Sequence, residues 1–427
     1  MAMTKVYVVD GARTPLLKAR GQPGPFSACD LATAAGRALL LRLPIRPTDI
    51  DEVIMGCVMP RETEANMGRL VALRLGCGDD TPGWTVQRNC ASGMQALHSA
   101  MKEIQLGHAE LVLAGGTEAM SHATWIWPDQ WGTWFNRFAG AKSLKDRFSL
   151  LLDAPLRNLK PIPALVQGLS DPLSGLGMGQ TAEIVASRFG ITRLAMDQFA
   201  VESHQRAARA TARGLGDEVV PLYDFAGQVY LHDEGVRADC SLEGLAKLKP
   251  AFERHGIVTA GTSSQVSDGA AMLLLASEAA VKKFKLPVKG ILVDVEWAAL
   301  SPDVMGLGPA VAMPPLLARH KLSLSDVAYW EINEAFAAQV LGCLAAWEDE
   351  TFCRETLKQN AVIGALDRTR LNVDGGAVAL GHPVGASGAR IVLHLLSVLA
   401  RENAKRGMAS ICIGGGQGGA MLVERVG

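Results

Sequence analysis

One pattern occurs twice in this chain of 427 residues, and it restricts the possible folds more than any composition figure. In the first half, Ser92-Gly93 opens a helical pattern from Met94 to Leu106, followed by the strand Leu111 to Ala114 and Gly115-Gly116. In the second half, Ser387-Gly388 opens a helical pattern from Ala389 to Arg401, followed by Ala409 to Cys412 and Gly414-Gly415-Gly416. Gly93 to Gly115 spans 22 residues and Gly388 to Gly414 spans 26; each copy closes on Ala-Met, at Ala119-Met120 and Ala420-Met421. Upstream, Asp49 to Met55 is echoed by Asp326 to Ile332, both reading as a short helical turn running into a strand. Two echoes in the same order point to a duplicated α/β unit.

Short β-branched runs read as strands at Val6 to Val9, Glu52 to Met55, Leu111 to Ala114, Ile291 to Val293 and Ala409 to Ile413. Helical patterns separate them, which predicts α/β layers with buried strands. Between the halves, from about Ser121 to Pro250, the alternation fails amid Trp, Pro and charge, as expected of an insertion covering one face. The expected domains are 1–120 with 251–285, an inserted segment 121–250, and 286–427. A chain this long exceeds one typical core.

A formal net charge of −1 provides no basic field for nucleic acid. The eight cysteines form no Cys-x-x-Cys pair, which argues against a zinc site or disulfide framework and for a reducing compartment. Met1 to Asp10 lacks the marks of a secretory signal, and no stretch reads as a membrane span, so a cytoplasmic protein is expected.

Three segments set a reactive side chain among glycines. Cys90 stands just before a helix start, where free N–H groups and the helix dipole favour a thiolate and can hold an oxyanion. His382, in a Gly-rich turn before the matching helix of the second copy, is placed to act as a base toward a thiol. Cys412 ends a strand before Gly414-Gly415-Gly416, beside exposed N–H groups suited to proton transfer. Asn333 follows the apolar run Val327 to Ile332 and can hold a water or a carbonyl through its amide. Each also has a plain structural reading: a buried inert Cys, a hydrogen-bonded core His, a strand-end Cys, an Asx turn. Two thiols and an imidazole fit carbon–carbon bond exchange at a thioester, one thiol carrying an acyl group while the other moves a proton.

Taken together, these segments resemble the thiolase family. The matching motifs are Asn89-Cys90-Ala91-Ser92-Gly93, Asn333-Glu334-Ala335-Phe336, Gly375 to Pro383, and Cys412-Ile413-Gly414-Gly415-Gly416, with Arg13-Thr14-Pro15 near the N-terminus. The resemblance implies a five-layer αβαβα core of two duplicated halves with an inserted loop domain. It implies an acyl-CoA C-acyltransferase, acting as a C-acyltransferase or C-acetyltransferase in fatty-acid metabolism and β-oxidation. Cys90 would accept the acyl group, His382 would activate it, and Cys412 would serve as acid/base at the α-carbon. Asn333 and His382 would form one oxyanion site, and the N–H groups of Cys90 and Gly414 the other. Ser264 and Met178 match positions touching pantetheine and the pocket, with Ala335 and Phe336 also at the substrate. Where many family members carry His before that Met, this chain has Gly177. CoA and acyl-CoA would be substrates, with no bound cofactor or metal, and the chain would form a homodimer or homotetramer. Two other readings are a decarboxylating ketoacyl synthase of the same fold, which places a second His where Asn333 stands and lacks an equivalent of Cys412, and a non-catalytic acyl-CoA or lipid carrier.

Trp125, Trp127, Trp131 and Trp134 put four of the eight tryptophans within ten residues, followed by Arg137, Lys142, Lys145, Arg147, Arg157 and Lys160. This reads either as loop-domain core or pocket wall, or as a patch docking a membrane surface or partner subunit. With Thr351 to Arg370, the insertion is similar to β-subunits of fatty-acid-oxidation complexes, although His is frequent there at the position of Asn333.

Overall fold

A computed structural model describes residues 4–426; Met1 to Met3 and Gly427, the outer ends of the expected halves, lie outside the described residues. The first half contains strands β1 (Val6–Arg13), β2 (Glu52–Gly56), β3 (Gly83–Val86), β4 (Leu111–Ala119) and β5 (Ser267–Ala276). Helices α1 (Ala28–Leu40), α2 (Met67–Leu75) and α3 (Ser92–Leu106) connect them. Helices α4 (Asp129–Gly140), α5 (Leu144–Leu152), α6 (Met178–Arg188) and α7 (Arg193–Arg213) lie between β4 and β5. The second half contains β6 (Gly290–Ala299), α8 (Gly308–Arg319), β7 (Tyr329–Ile332), α9 (Ala337–Glu348), α10 (Val384–Arg401), β8 (Arg406–Ile413) and β9 (Gln417–Arg425).

Strand pairing repeats the duplication. In the first half β1 is antiparallel to β5, β5 antiparallel to β4, and β4 parallel to β2, which is parallel to β3. In the second, β6 is antiparallel to β9, β9 antiparallel to β8, and β8 parallel to β7; a parallel bridge from Trp330 to Leu371 stands where β3 has its counterpart. Both copies carry the same irregularity. An extra residue, Val9 in β1 and Val293 in β6, breaks register against the neighbouring strand. β1 and β6 then pair over Val6–Val8 and Gly290–Leu292, joining the halves.

Apolar residues on alternate strand positions face different cores. Ile54, Val112, Leu273 and Ile411 pack on α3 and α10 between the halves. Val53, Leu113, Met272 and Leu274 pack outward beneath α1 and α2. Met408, Ala420 and Leu422 pack beneath α8 and α9, together with Val185 of α6. This gives five layers, with α3 and α10 in the middle. α10 is long and apolar enough to cross a bilayer, against the expectation that no stretch is, but 83% of it is buried. Its apolarity reflects packing on all sides.

β5 lies in a segment that β-branched content does not mark. Ser-Asp-Gly-Ala-Ala-Met-Leu-Leu-Leu-Ala holds no Val, Ile or Thr, yet every residue is buried as a central strand. Burial between two neighbours overrides its local preference.

The two middle helices meet backbone to backbone. A Cβ on Gly93 would lie 2.8 Å from the carbonyl oxygen of Gly385, one on Gly388 would lie 2.6 Å from the Met94 nitrogen, and one on Gly116 would overlap the Gly385 carbonyl. Such contacts place the start of α3 against the start of α10. Gly116→Ala should lower the stability to denaturant by about 3 kcal/mol, because backbone must move; an unchanged midpoint would show that the approach is not tight.

Candidate active site

The turn before α3 is built around an unusual residue. Asn89 sits in the left-handed region (φ 43°), which Asn tolerates better than most side chains. Ser92 Oγ accepts the Arg88 N–H (2.8 Å) and donates to the Asn89 carbonyl (2.7 Å), closing the turn around Cys90. The Asn89 amide donates to the Gly414 carbonyl at 2.8 Å, stitching the two cysteine-bearing loops together. The N–H groups of Gly414 and of Cys90 itself are directed at the Cys90 sulfur. Burial nevertheless outweighs them and pushes the thiol up to about 11. The resting thiolate expected from a helix start is therefore not formed, and Cys90 needs a base.

The candidate base is His382, on the same cavity as Cys90. Gly381 (φ 111°) packs where a Cβ would overlap Ser267 Oγ, and the His382 N–H donates to the Gln265 carbonyl at 3.0 Å. Its Nδ1 lies 2.6 Å from Ser387 Oγ, and Ser387 gives its own proton to the Pro383 carbonyl at 3.0 Å. Ser387 can then only accept from Nδ1–H, which leaves Nε2 as a bare lone pair. Nε2 is buried and has no protein hydrogen-bond partner. Burial, then the charge of Arg390, lowers His382 to about 3, so the imidazole is neutral at ordinary pH.

Cys412 lies one residue before the end of β8, its thiol raised well above the usual range by burial first, then by Cys90 and Cys343. Asn333 donates its N–H to the Ser410 carbonyl (2.9 Å), two residues before Cys412. Its side chain is fully buried, and neither amide atom has a protein partner. Cys90, His382 and Cys412 line a single cavity of about 320 Å³, together with Ser264, Met178, Ala335 and Phe336. Asn333 is not in that lining; Gly414 lines an adjoining chamber of about 370 Å³ that shares Cys90 and Met178 with the first. The Ser264 N–H donates to the Ala335 carbonyl at 2.9 Å, and Phe336 meets Phe252 edge-on at 5.8 Å. At Gly177, on the cavity wall, a Cβ would meet only Gln180 Oε1 at 3.5 Å, so the position leaves room.

Three supporting roles escape a reading of the sequence. Ser387 orients His382; its signal lies in the repeat, where Ser387-Gly388 matches Ser92-Gly93 and Ser92 braces the cysteine turn. Asn89 binds the other cysteine loop. Glu118 accepts N–H groups from Val58 (2.9 Å), Met59 (2.9 Å) and Gly385 (3.0 Å), fixing the start of α10 to the loop beside the chamber. Burial raises its carboxyl to about 7.

Two family models match the chain, "Thiolase, N-terminal domain" over residues 6–279 and "Thiolase, C-terminal domain" over residues 286–425. The chain belongs to the thiolase family. It is 35% identical to an acetyl-CoA acetyltransferase of Allochromatium vinosum and 38% identical to a beta-ketoadipyl-CoA thiolase of Pseudomonas knackmussii, each comparison covering 99% of both chains. The structure of human mitochondrial 3-ketoacyl-CoA thiolase in complex with CoA superposes with a TM-score of 0.85 at 35% identity, covering 99% of this chain and 98% of that one.

In this thiolase Cys90 and His382 are both neutral over a wide span of pH. That state prevails between the low value of the imidazole and the high value of the thiol. The rate of Cys90 acylation should therefore be level from about pH 5 to about pH 9 and fall as pH drops toward 3, where the imidazole takes a proton. A limb near the ordinary histidine value, in rapid-quench acylation, would contradict the buried neutral imidazole. Ser387→Ala frees the tautomer and should slow acylation by about tenfold or more with little change in KM.

Proposed function

We propose that this chain is an acyl-CoA C-acyltransferase cleaving 3-ketoacyl-CoA with CoA, and running the reverse Claisen condensation, through an acyl-Cys90 intermediate. The observation that carries this is the meeting of Cys90, His382 and Cys412 on one cavity, with Nε2 of His382 left without a protein partner. In the thiolytic direction His382 takes the Cys90 proton, and the sulfur attacks the 3-keto carbon. The nitrogen that acted as base then carries a proton and becomes a donor. The Cα–Cβ bond breaks, and its electron pair leaves as the enolate of acetyl-CoA, which takes a proton from Cys412. Cys412, now a thiolate, takes the proton of a second CoA thiol, whose sulfur attacks acyl-Cys90 while the N–H groups of Cys90 and Gly414 hold the oxyanion; the bond to Cys90 then breaks and His382 returns its proton to that sulfur. A Cys412 thiol that is protonated at rest suits this starting point.

The adjoining chamber supports an uncharged aliphatic acyl group. Its apolar walls are Val58, Met59, Leu169, Leu173, Met178 and Val384, and no cationic side chain lines it among the described residues. Its one carboxylate among the described residues, Asp171, already accepts from Leu173 N–H, Ser174 N–H and Ser174 Oγ. A β-ketoadipyl group ends in a carboxylate, which this chamber does not neutralise. This favours simple 3-ketoacyl-CoAs, as in β-oxidation, over β-ketoadipyl-CoA. The edge strand β3, half-buried along its length in the single chain, supports a homodimer or homotetramer. Eight free thiols support a reducing, cytoplasmic setting.

Cys90→Ala should abolish acyl labelling by a thioester, and intact-mass detection of a stable adduct elsewhere on that variant would reject the assignment. Cys412→Ala should keep the acyl-Cys90 adduct and lose turnover by at least about a hundredfold; full activity would contradict its role. Across substrates, kcat/KM for straight-chain 3-ketoacyl-CoAs should exceed that for 3-oxoadipyl-CoA, and the reverse order would refute the reading of the chamber.

A further inference from the structure

Among the described residues, exposed apolar side chains concentrate in the insertion, most of them away from the catalytic cavity. Of 24 large hydrophobic residues exposed among the described residues, 13 fall between Trp125 and Leu173. The antiparallel pair Trp125–Ile126 with Ile162–Pro163 forms a neck, beyond which α4 and α5 pack on each other. Within these two helices only Trp131 and Leu150 are buried. Trp131 lies 5.5 to 5.7 Å from the rings of Trp127, Trp134 and Phe135, and Trp134 donates its indole N–H to the Leu150 carbonyl at 2.7 Å. That small aromatic core holds the hairpin together, so the tryptophan cluster is in part the core expected of it.

The opposite face of α5 is also apolar. Leu144, Phe148, Leu151 and Leu152 follow one another at helical spacing in a single stripe, and are 84, 65, 53 and 78% exposed. A solvated helix ordinarily turns charge outward on this face, so the stripe calls for a cover. The segment from Trp125 to Gly168 holds six cations and three acids, a net charge of +3 within a chain of −1. Arg137 pairs with Asp153 at 3.5 Å, whereas Lys142, Lys145, Arg147, Arg157 and Lys160 form no ion pair among the described residues. A second copy meeting this stripe about a twofold axis would bring these cations face to face. An anionic bilayer covers the apolar stripe and neutralises its rim together.

We propose that the α4–α5 hairpin docks this enzyme on an anionic lipid surface, with the Leu144, Phe148, Leu151 and Leu152 stripe seated in the interface. Val166, exposed at the foot of the hairpin, also lines the catalytic cavity, so docking holds the cavity beside the bilayer. The test is co-sedimentation of the full chain with phosphatidylcholine vesicles, with and without phosphatidylglycerol. The wild type should pellet with the anionic vesicles and be released by salt. Phe148→Glu with Leu152→Glu should weaken pelleting at least about tenfold while thiolysis in solution and thermal stability stay unchanged. Lys142→Glu with Lys145→Glu should remove the preference for phosphatidylglycerol. A wild type that stays in the supernatant, or a stripe variant that still pellets, overturns the proposal. So does a stripe variant that shifts to a smaller molar mass by light scattering with no vesicle binding by either form, which assigns the stripe to a protein interface.

Discussion

The whole arrangement depends on two helices approaching so closely that no side chain fits between them. Gly93 and Gly116 from one half meet Gly385 and Gly388 from the other, and a Cβ at any of the four would strike main chain. This contact brings the starts of α3 and α10 to one place, and Cys90 and His382 stand immediately before them. Helix starts carry unpaired N–H groups and partial positive charge, so negative charge developing on a bound thioester meets donors already in position. Burial raises both thiols and lowers the imidazole, so the three reactive groups are neutral at rest and charge arises only as the reaction proceeds.

Much of this could be read from the residues alone. The paired Ser-Gly and Gly-Gly signals revealed the duplication because close helix packing and tight turns demand glycine in both copies. Cys90, His382 and Cys412 stood out because reactive side chains among glycines have few purely structural uses. What stayed hidden depended on distant neighbours. β5 is Ala-, Met- and Leu-rich, and becomes a strand only because strands flank it on either side. Glu118 looks like an ordinary strand acid until three N–H groups from elsewhere in the chain converge on it. The expectation of a resting thiolate failed for a related reason. A helix start is visible in sequence, whereas the depth of burial that opposes ionisation is not.

The insertion is tied down by charges as well as by packing. Buried Arg13 in β1 binds Glu218 at 2.9 Å and Asp233 at 2.8 Å, both from the segment between β4 and β5. Glu218 also meets His394 of α10 at 3.0 Å, and His394 meets Asp374 at 3.3 Å. Although burial opposes its charge, the two carboxylates raise His394 to about 10 and keep it cationic. Removing one member would strand its buried partners at a cost of about 3–5 kcal/mol. Arg13 in the motif Arg13-Thr14-Pro15 thus links the first strand to the insertion, and through Glu218 to the helix that follows His382.

The extra valine in β1 and its twin in β6 bear on how such a catalyst arose. A strand irregularity at the same register in both halves is a shared inheritance, older than the difference between a cysteine at one helix start and a histidine near the other. Two identical subunits related by a twofold axis must present the same residue at each side of that axis. Within one polypeptide each side can differ from the other, and the cysteine at one helix start and the histidine near the other are such a difference: the symmetry of the duplicated frame is broken at its centre.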